Sequence, residues 1–86
     1  MSVEKDSQAV CERIVRLLRE ERQRRGLTKY AAAQRSGLSQ QAIGSLERGE
    51  KMPSLTTILR YAAAVEADLP DVIRRAQAQE IRKRHR

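Results

Sequence analysis

The segment from Thr28 to Gly49, TKYAAAQRSGLSQQAIGSLERG, constrains the fold more than any other part of the chain: two short helical runs are joined by a turn too tight to be a linker. The first run predicts a helix opened by Thr28, whose hydroxyl can accept from the free N–H groups of a helix start, and continued by the good helix formers Ala31, Ala32 and Ala33. Gly37 ends it, because glycine enters the left-handed conformation without a Cβ clash, and Ser39 two residues later is a natural N-cap for the second run. Ala33 falls where the two helices cross, and its single methyl permits a close approach. Leu38, Ile43 and Leu46 supply the apolar side of the unit, while Gln40, Gln41, Gly44 and Ser45 fall on the other side. That outer surface is polar and uncharged, with long amides of the kind that read base edges, so the second helix, about residues 39–47, reads as a recognition helix.

Similar patterning extends to both sides. From about Ser7 to Arg25, Val10, Cys11, Ile14, Leu17 and Leu18 recur at helical spacing and leave most of the arginines at 13, 16, 19, 24 and 25 outside the stripe. Glu21 interrupts this stripe and marks either a slight turn of the helix or the edge of the core, and Gly26 and Leu27 close the helix. After a polar turn, Pro53 and Ser54 introduce a fourth helix with Leu55, Ile58, Leu59, Ala62 and Val65 as its expected core face. Tyr61 is expected to bury its ring while its hydroxyl finds a polar neighbour. Asp68 can cap a fifth helix that carries Asp71 in its first turn and an apolar stripe of Leu69, Val72, Ile73 and Ala76. The resulting division is a flexible N-terminus over 1–6, one helical domain over 7–79 and a basic tail over 80–86, whose IRKRHR either extends the fifth helix or is disordered, and is read as a solvated charge run.

Composition narrows the function. Eighty-six residues suit one small domain, and without Trp or Phe the core must be built from aliphatic side chains. The formal charge of +7 favours a polyanionic partner, although RNA, a membrane surface or an acidic protein would satisfy it as well as DNA. No apolar run is long enough to span a bilayer, and MSVEKDSQAV lacks the apolar stretch of a signal peptide, so a cytoplasmic, nucleoid-associated protein is expected. Cys11 stands alone, which rules out an intrachain disulfide and a cysteine-based zinc site, and it reads as a small hydrophobe on the first helix. His85 is the lone histidine and gives a metal site no support. With no Gly-rich phosphate loop and no paired carboxylates, the chain reads as a non-enzyme without metal or cofactor.

The residues from Thr28 to Gly49 resemble the helix-turn-helix of the Cro/phage-repressor family, also called XRE-like regulators. The family's small residue of the first motif helix lies at Ala33, its turn glycine at Gly37, and its apolar positions at Leu38, Ile43 and Leu46. LERGEKMPSL, from Leu46 to Leu55, is similar to the family's connection to the following helix, and the resemblance runs from about Ile14 to Leu69. There are departures. Ala32 replaces a larger aliphatic, Ser36 replaces an apolar residue, and Tyr61 stands where an aliphatic is common, so the core beside the first motif helix should be less filled unless Tyr61 compensates in volume. Lys29 replaces a glutamine that contacts a phosphate in the family, turning a neutral hydrogen bond into a charge-assisted one.

The resemblance implies an all-α, five-helix, lambda-repressor-like domain with its helix-turn-helix at helices 2 and 3. It also implies a sequence-specific regulator, a repressor, that binds a double-stranded DNA operator as a homodimer with half-sites about 34 Å apart. Gln40 and Gln41 are then the first base readers, since a glutamine amide matches adenine N7 and N6, and the same pair opens the recognition helix of some lambdoid repressors. Ser45 is a shorter reader, and Gly44 would let the backbone approach the groove. Thr28, Lys29 and Ser39 at helix starts, with Arg48 and Lys51 in the turn after the recognition helix, would contact phosphates. By the same resemblance Arg22 pairs with Glu47 and fixes the recognition helix against the first helix, the alternative being two independent solvated charges. A remainder of the fifth helix's stripe would meet a second copy. Two further uses of the fold stay open: an antitoxin that binds both its operator and a toxin, and a protein-interaction module. On this length no separate sensor domain is expected.

Overall fold

Each of the three central helices begins on a side-chain cap that the sequence supplies. The computed structural model describes the backbone of residues 3–84 and the side chains of residues 3–82, and those residues form α1 (Val3–Arg24), α2 (Lys29–Ser36), α3 (Gln40–Arg48), α4 (Leu55–Ala64) and α5 (Leu69–Arg84). Thr28 accepts from the Ala31 N–H, Ser39 from the Ala42 N–H and Ser54 from the Thr57 N–H. Asp68 Oδ1 accepts from the Asp71 N–H at 3.3 Å ahead of α5. Gly37 and Gly49 close α2 and α3 in the left-handed region, with φ of 77° and 70°.

One helix is longer than the sequence patterning indicates, and another takes up most of the basic tail, the first of the two readings open for it. The first starts at Val3 and not near Ser7, and the fifth continues to Arg84. Arg13 on α1 is ion-paired with Glu80 on α5, which ties the continued end of α5 to α1 beyond the buried Ala76. Acidic Glu4 and Asp6 in the first turn of α1 also suit the positive end of its dipole. His85 and the last residue of the basic tail lie outside the described residues.

The core is formed by all five helices. Leu18, Ala32, Ile43, Tyr61, Val65 and Ala76 are fully enclosed, and Ile14, Val15, Leu17, Ala33, Leu46, Ile58, Ala62 and Val72 complete the cluster. Within it, α1 packs chiefly against α5, and α2 lies against both α3 and α4. Cys11 is half-buried against this core, and burial raises its thiol pKa, as befits a packing residue. Glu21 sits at the core edge, where it accepts from Arg24 Nε at 3.0 Å and Arg25 Nε at 2.8 Å.

The unusual positions beside α2 are accommodated individually. Ala32 is fully covered and Tyr61 is the largest fully buried side chain. Ser36 is buried but satisfied: its hydroxyl donates to the Ala33 carbonyl at 3.2 Å and accepts the Leu38 N–H at 3.1 Å, which ties down the turn of the motif. The expected core face of α4 needs correction. Ile58, Ala62 and Val65 are buried, but Leu55 is 66% exposed and Leu59 is 51% exposed. Both share a helical stripe that no other described element covers, because α2 takes the neighbouring stripe of α4.

Candidate nucleic-acid interface

The exposed side of α3 is anchored from behind by a buried ionic centre. Arg22 directs Nε to Glu47 Oε2 at 2.8 Å and Nη2 to Glu47 Oε1 at 3.0 Å, a two-pronged pair, while its Nη1 donates to the Leu27 carbonyl at 2.7 Å. The Tyr61 hydroxyl also donates to Glu47 Oε2, so the last turn of α3 is held by α1 and α4 together. Arg19 adds a longer ionic contact, 3.7 Å from Glu47 Oε1. Burial pushes the Glu47 carboxyl up, but the hydrogen bonds from Arg22 and Tyr61 outweigh it and its pKa falls below the ordinary value. Burial, followed by the Glu47 bond, raises the Tyr61 pKa, and the Glu47 bond raises that of Arg22. Arg22 and Glu47 therefore stay charged and joined at neutral pH.

With that base fixed, Ser39, Gln41, Ser45 and Lys51 line one shallow groove, whose other wall is Met52, Pro53, Ser54 and Thr57 at the entry to α4. Gln40 and Gln41 are both exposed at the start of α3. Thr28 and Lys29 are exposed at the start of α2, outside this groove. Arg48 and Lys51 also border a second groove, where Arg16 and Arg19 of α1 face them together with Cys11 and Glu47. The arrangement gives a polar, uncharged helix face flanked by cations, which suits base edges in the middle and phosphates at the rim.

Several members of this surface were not singled out by sequence reasoning. Met52, Ser54 and Thr57 enter the groove only because the turn after Gly49 folds beside α3. Arg16 and Arg19 were visible as arginines three apart outside the apolar stripe, a spacing that places them on one side of α1. Gly44 differs from its expected role at an open surface: it is buried, and a methyl placed there would lie 3.0 Å from Arg48 Nη1. The arginine side chain already fills that space. Glu50 was also missed, and it accepts from the Ser45 hydroxyl at 2.8 Å and from Arg48 Nε at 2.8 Å. Among the described residues, no group of His, Cys, Asp and Glu is arranged to hold a metal ion, and no helix is long and apolar enough to cross a membrane.

Comparison with known proteins agrees with this fold. A helix-turn-helix family model matches residues 18–72, which include α2, α3, α4 and all three residues of the Arg22–Glu47–Tyr61 centre. The uncharacterized HTH-type transcriptional regulator y4dJ of Sinorhizobium fredii (strain NBRC 101917 / NGR234) is 43% identical over 44 residues, covering 51% of this chain and 57% of that protein. The chain thus spans a little over half the length of that relative. No solved structure matches. The capped helices, the glycine turn and the family match converge, and the chain belongs to the Cro/repressor-type helix-turn-helix family.

Proposed function

We propose that this chain is a sequence-specific regulator of transcription that places α3 in the major groove of double-stranded DNA and represses by occupying a promoter. The observation that carries this reading is the convergence of Ser39, Gln41, Ser45 and Lys51 on one groove beside a helix whose far side is locked by Arg22, Glu47 and Tyr61. A reading helix must be held rigidly if its side chains are to discriminate bases. Gln40, Gln41 and Ser45 are assigned to base edges. Thr28, Lys29, Ser39, Arg48 and Lys51 are assigned to phosphates, supported by the cap positions of Thr28 and Ser39 and by the exposed cations beside them.

Homodimerisation on an operator and a cytoplasmic, nucleoid-associated location belong to the same reading. The stripe on α5 is largely consumed by the domain itself, since Val72 and Ala76 are buried and Leu69 and Ile73 pack against the core. Besides Ile81 on α5, Leu55 and Leu59 on α4 are two large apolar side chains left exposed on one helix for a second copy. They also support a second reading, an antitoxin that would use that face for a toxin while α3 holds its operator. A protein that forms a stable heteromeric complex and binds DNA only weakly and without salt dependence would favour an interaction role instead.

The test is titration of wild type and Lys29→Ala against several duplexes over a range of salt. Loss of a phosphate contact should weaken all sequences together and reduce the slope of log K against log salt by about 0.9. An effect of Lys29→Ala confined to one sequence would contradict the division between phosphate and base contacts.

A further inference from the structure

Glu50 occupies two of the side chains that the DNA-binding reading assigns to nucleic acid. Ser45 Oγ donates to Glu50 Oε1 at 2.8 Å, while Arg48 donates from Nε to Oε2 at 2.8 Å and from Nη2 to Oε1 at 3.3 Å. The backbone enforces this return. Gly49 has φ of 70°, and the Glu50 N–H donates to the Ser45 carbonyl at 3.1 Å, so residue 50 lies back over the last turn of α3. Arg48 is folded along the helix across Gly44, not extended from it. Hydrogen bonds from Arg48 first and Ser45 second hold the Glu50 carboxyl down to about 2, which keeps it ionised. All three partners are reachable, with Arg48 and Glu50 exposed and Ser45 half-exposed.

A carboxylate that takes two parallel bonds from one guanidinium presents the same acceptor geometry as two oxygens of a phosphodiester. We propose that Glu50 is a built-in phosphate surrogate, which holds Arg48 and Ser45 in the free protein and must release them before DNA can engage either one. This inference rests on the DNA-binding reading. The exchange is feasible because the pair is exposed, and such pairs are weak. It makes binding weaker for every sequence alike at Arg48, since a phosphate contact carries no base information. Freed from Arg48, the carboxylate recruits a cation from solution, so Glu50 also diminishes the net release of ions on binding.

The test uses the full chain and a mixed-sequence DNA duplex, with wild type, Glu50→Gln, Arg48→Ala and the double variant titrated at several salt concentrations. Glu50→Gln should bind roughly two- to five-fold more tightly, the range expected for removing an exposed competing ion pair. Its salt slope should steepen by about one ion. In the Arg48→Ala background the same change should have much less effect. Weaker binding by Glu50→Gln would overturn the proposal, because Glu50 would then be positioning Arg48 for DNA. An equal gain in both backgrounds would overturn it as well, because the carboxylate would act only as a repelling charge. If wild type fails to bind any duplex, the DNA-binding reading itself fails, a result distinct from either of these. Circular dichroism of each variant checks that the exposed substitutions leave the helices intact.

Discussion

Tyr61 on α4 and Glu47 on α3 meet inside the domain, where the fully buried phenol donates its hydroxyl hydrogen to a carboxylate that also takes two bonds from Arg22 on α1. Three helices are thereby joined at the last turn of the helix that carries the candidate reading face. The hydroxyl is a donor to a charged acceptor, worth more than a neutral bond. Tyr61→Phe keeps the ring's packing and removes only that bond. It should destabilise the fold by about 2 kcal/mol, measured by urea unfolding. A loss below about 0.5 kcal/mol would show that Arg22 alone satisfies Glu47.

Removing the charge of Glu47 should be more damaging, because Arg22 would remain buried with no carboxylate beside it, keeping only neutral acceptors, the Leu27 carbonyl and one amide oxygen of the glutamine. Glu47→Gln should cost about 3 kcal/mol at neutral pH, a large part of the total stability of a domain this size. The pH dependence has a definite sign. The folded carboxyl pKa lies below its unfolded value, so its stabilising contribution is full above the unfolded value of about 4.3 and is lost as pH falls through the folded value. The difference in unfolding free energy between wild type and Glu47→Gln should therefore be constant from neutral pH down to about pH 5 and shrink below about pH 4. A difference that grew on acidification would contradict this account.

Gly44 illustrates a position where stability and local geometry separate. Inside α3 it costs helix propensity of about 1 kcal/mol relative to alanine. The atoms that a methyl would meet belong to the end of the Arg48 side chain, which can swing aside. Gly44→Ala should thus raise the unfolding free energy by roughly 0.5–1 kcal/mol in thermal or urea melts. A destabilised variant would mean that Arg48 packed over Gly44 contributes more to the fold than an exposed arginine normally does.

Glu66, between α4 and α5, has φ of 58°, in the left-handed region that a side chain makes costly. Its compensation is an exposed ion pair with Arg35 at 3.2 Å, whose Nη1 also reaches the Ala64 carbonyl at 3.4 Å. The strain is roughly 1 kcal/mol, and an exposed pair returns about 0.5 kcal/mol at most moderate salt concentrations. Glu66→Gly should therefore raise the melting temperature by a few degrees, the more clearly in high salt, where the wild-type pair is screened. A lowered melting temperature would show that Arg35 and Glu66 fasten α2 to the α4–α5 turn more firmly than screening allows.

What the sequence reveals of this fold follows the range of the forces involved. Thr28, Ser39 and Ser54 act on backbone groups three residues away, and Gly37 and Gly49 act on their own dihedrals, so these helix boundaries are legible locally. Arg22 and Glu47 are 25 residues apart and nothing local joins them; the family resemblance pointed to their pairing. The exposure of Leu55 and Leu59 could not be read from periodicity, which reports that α4 has an apolar stripe but not how wide a stripe α2 covers. The contact between Arg13 and Glu80 that ties the end of α5 to α1 joins residues 67 positions apart and has no local signal either. Glu50 escaped notice because a carboxylate in a polar turn looks solvated until the backbone folds it over Ser45 and Arg48.

The most direct test of the central claim is selection of bound sequences from random duplex DNA, performed with wild type and with Gln41→Ala. Gln41 is exposed at the start of α3 and lines the groove with Ser39, Ser45 and Lys51, so its substitution leaves the core untouched. The account predicts a two-fold symmetric site for wild type, with half-sites about one DNA turn apart, and a changed base preference within each half-site for Gln41→Ala. Enrichment of no sequence by wild type, with only salt-dependent retention of DNA, would contradict it.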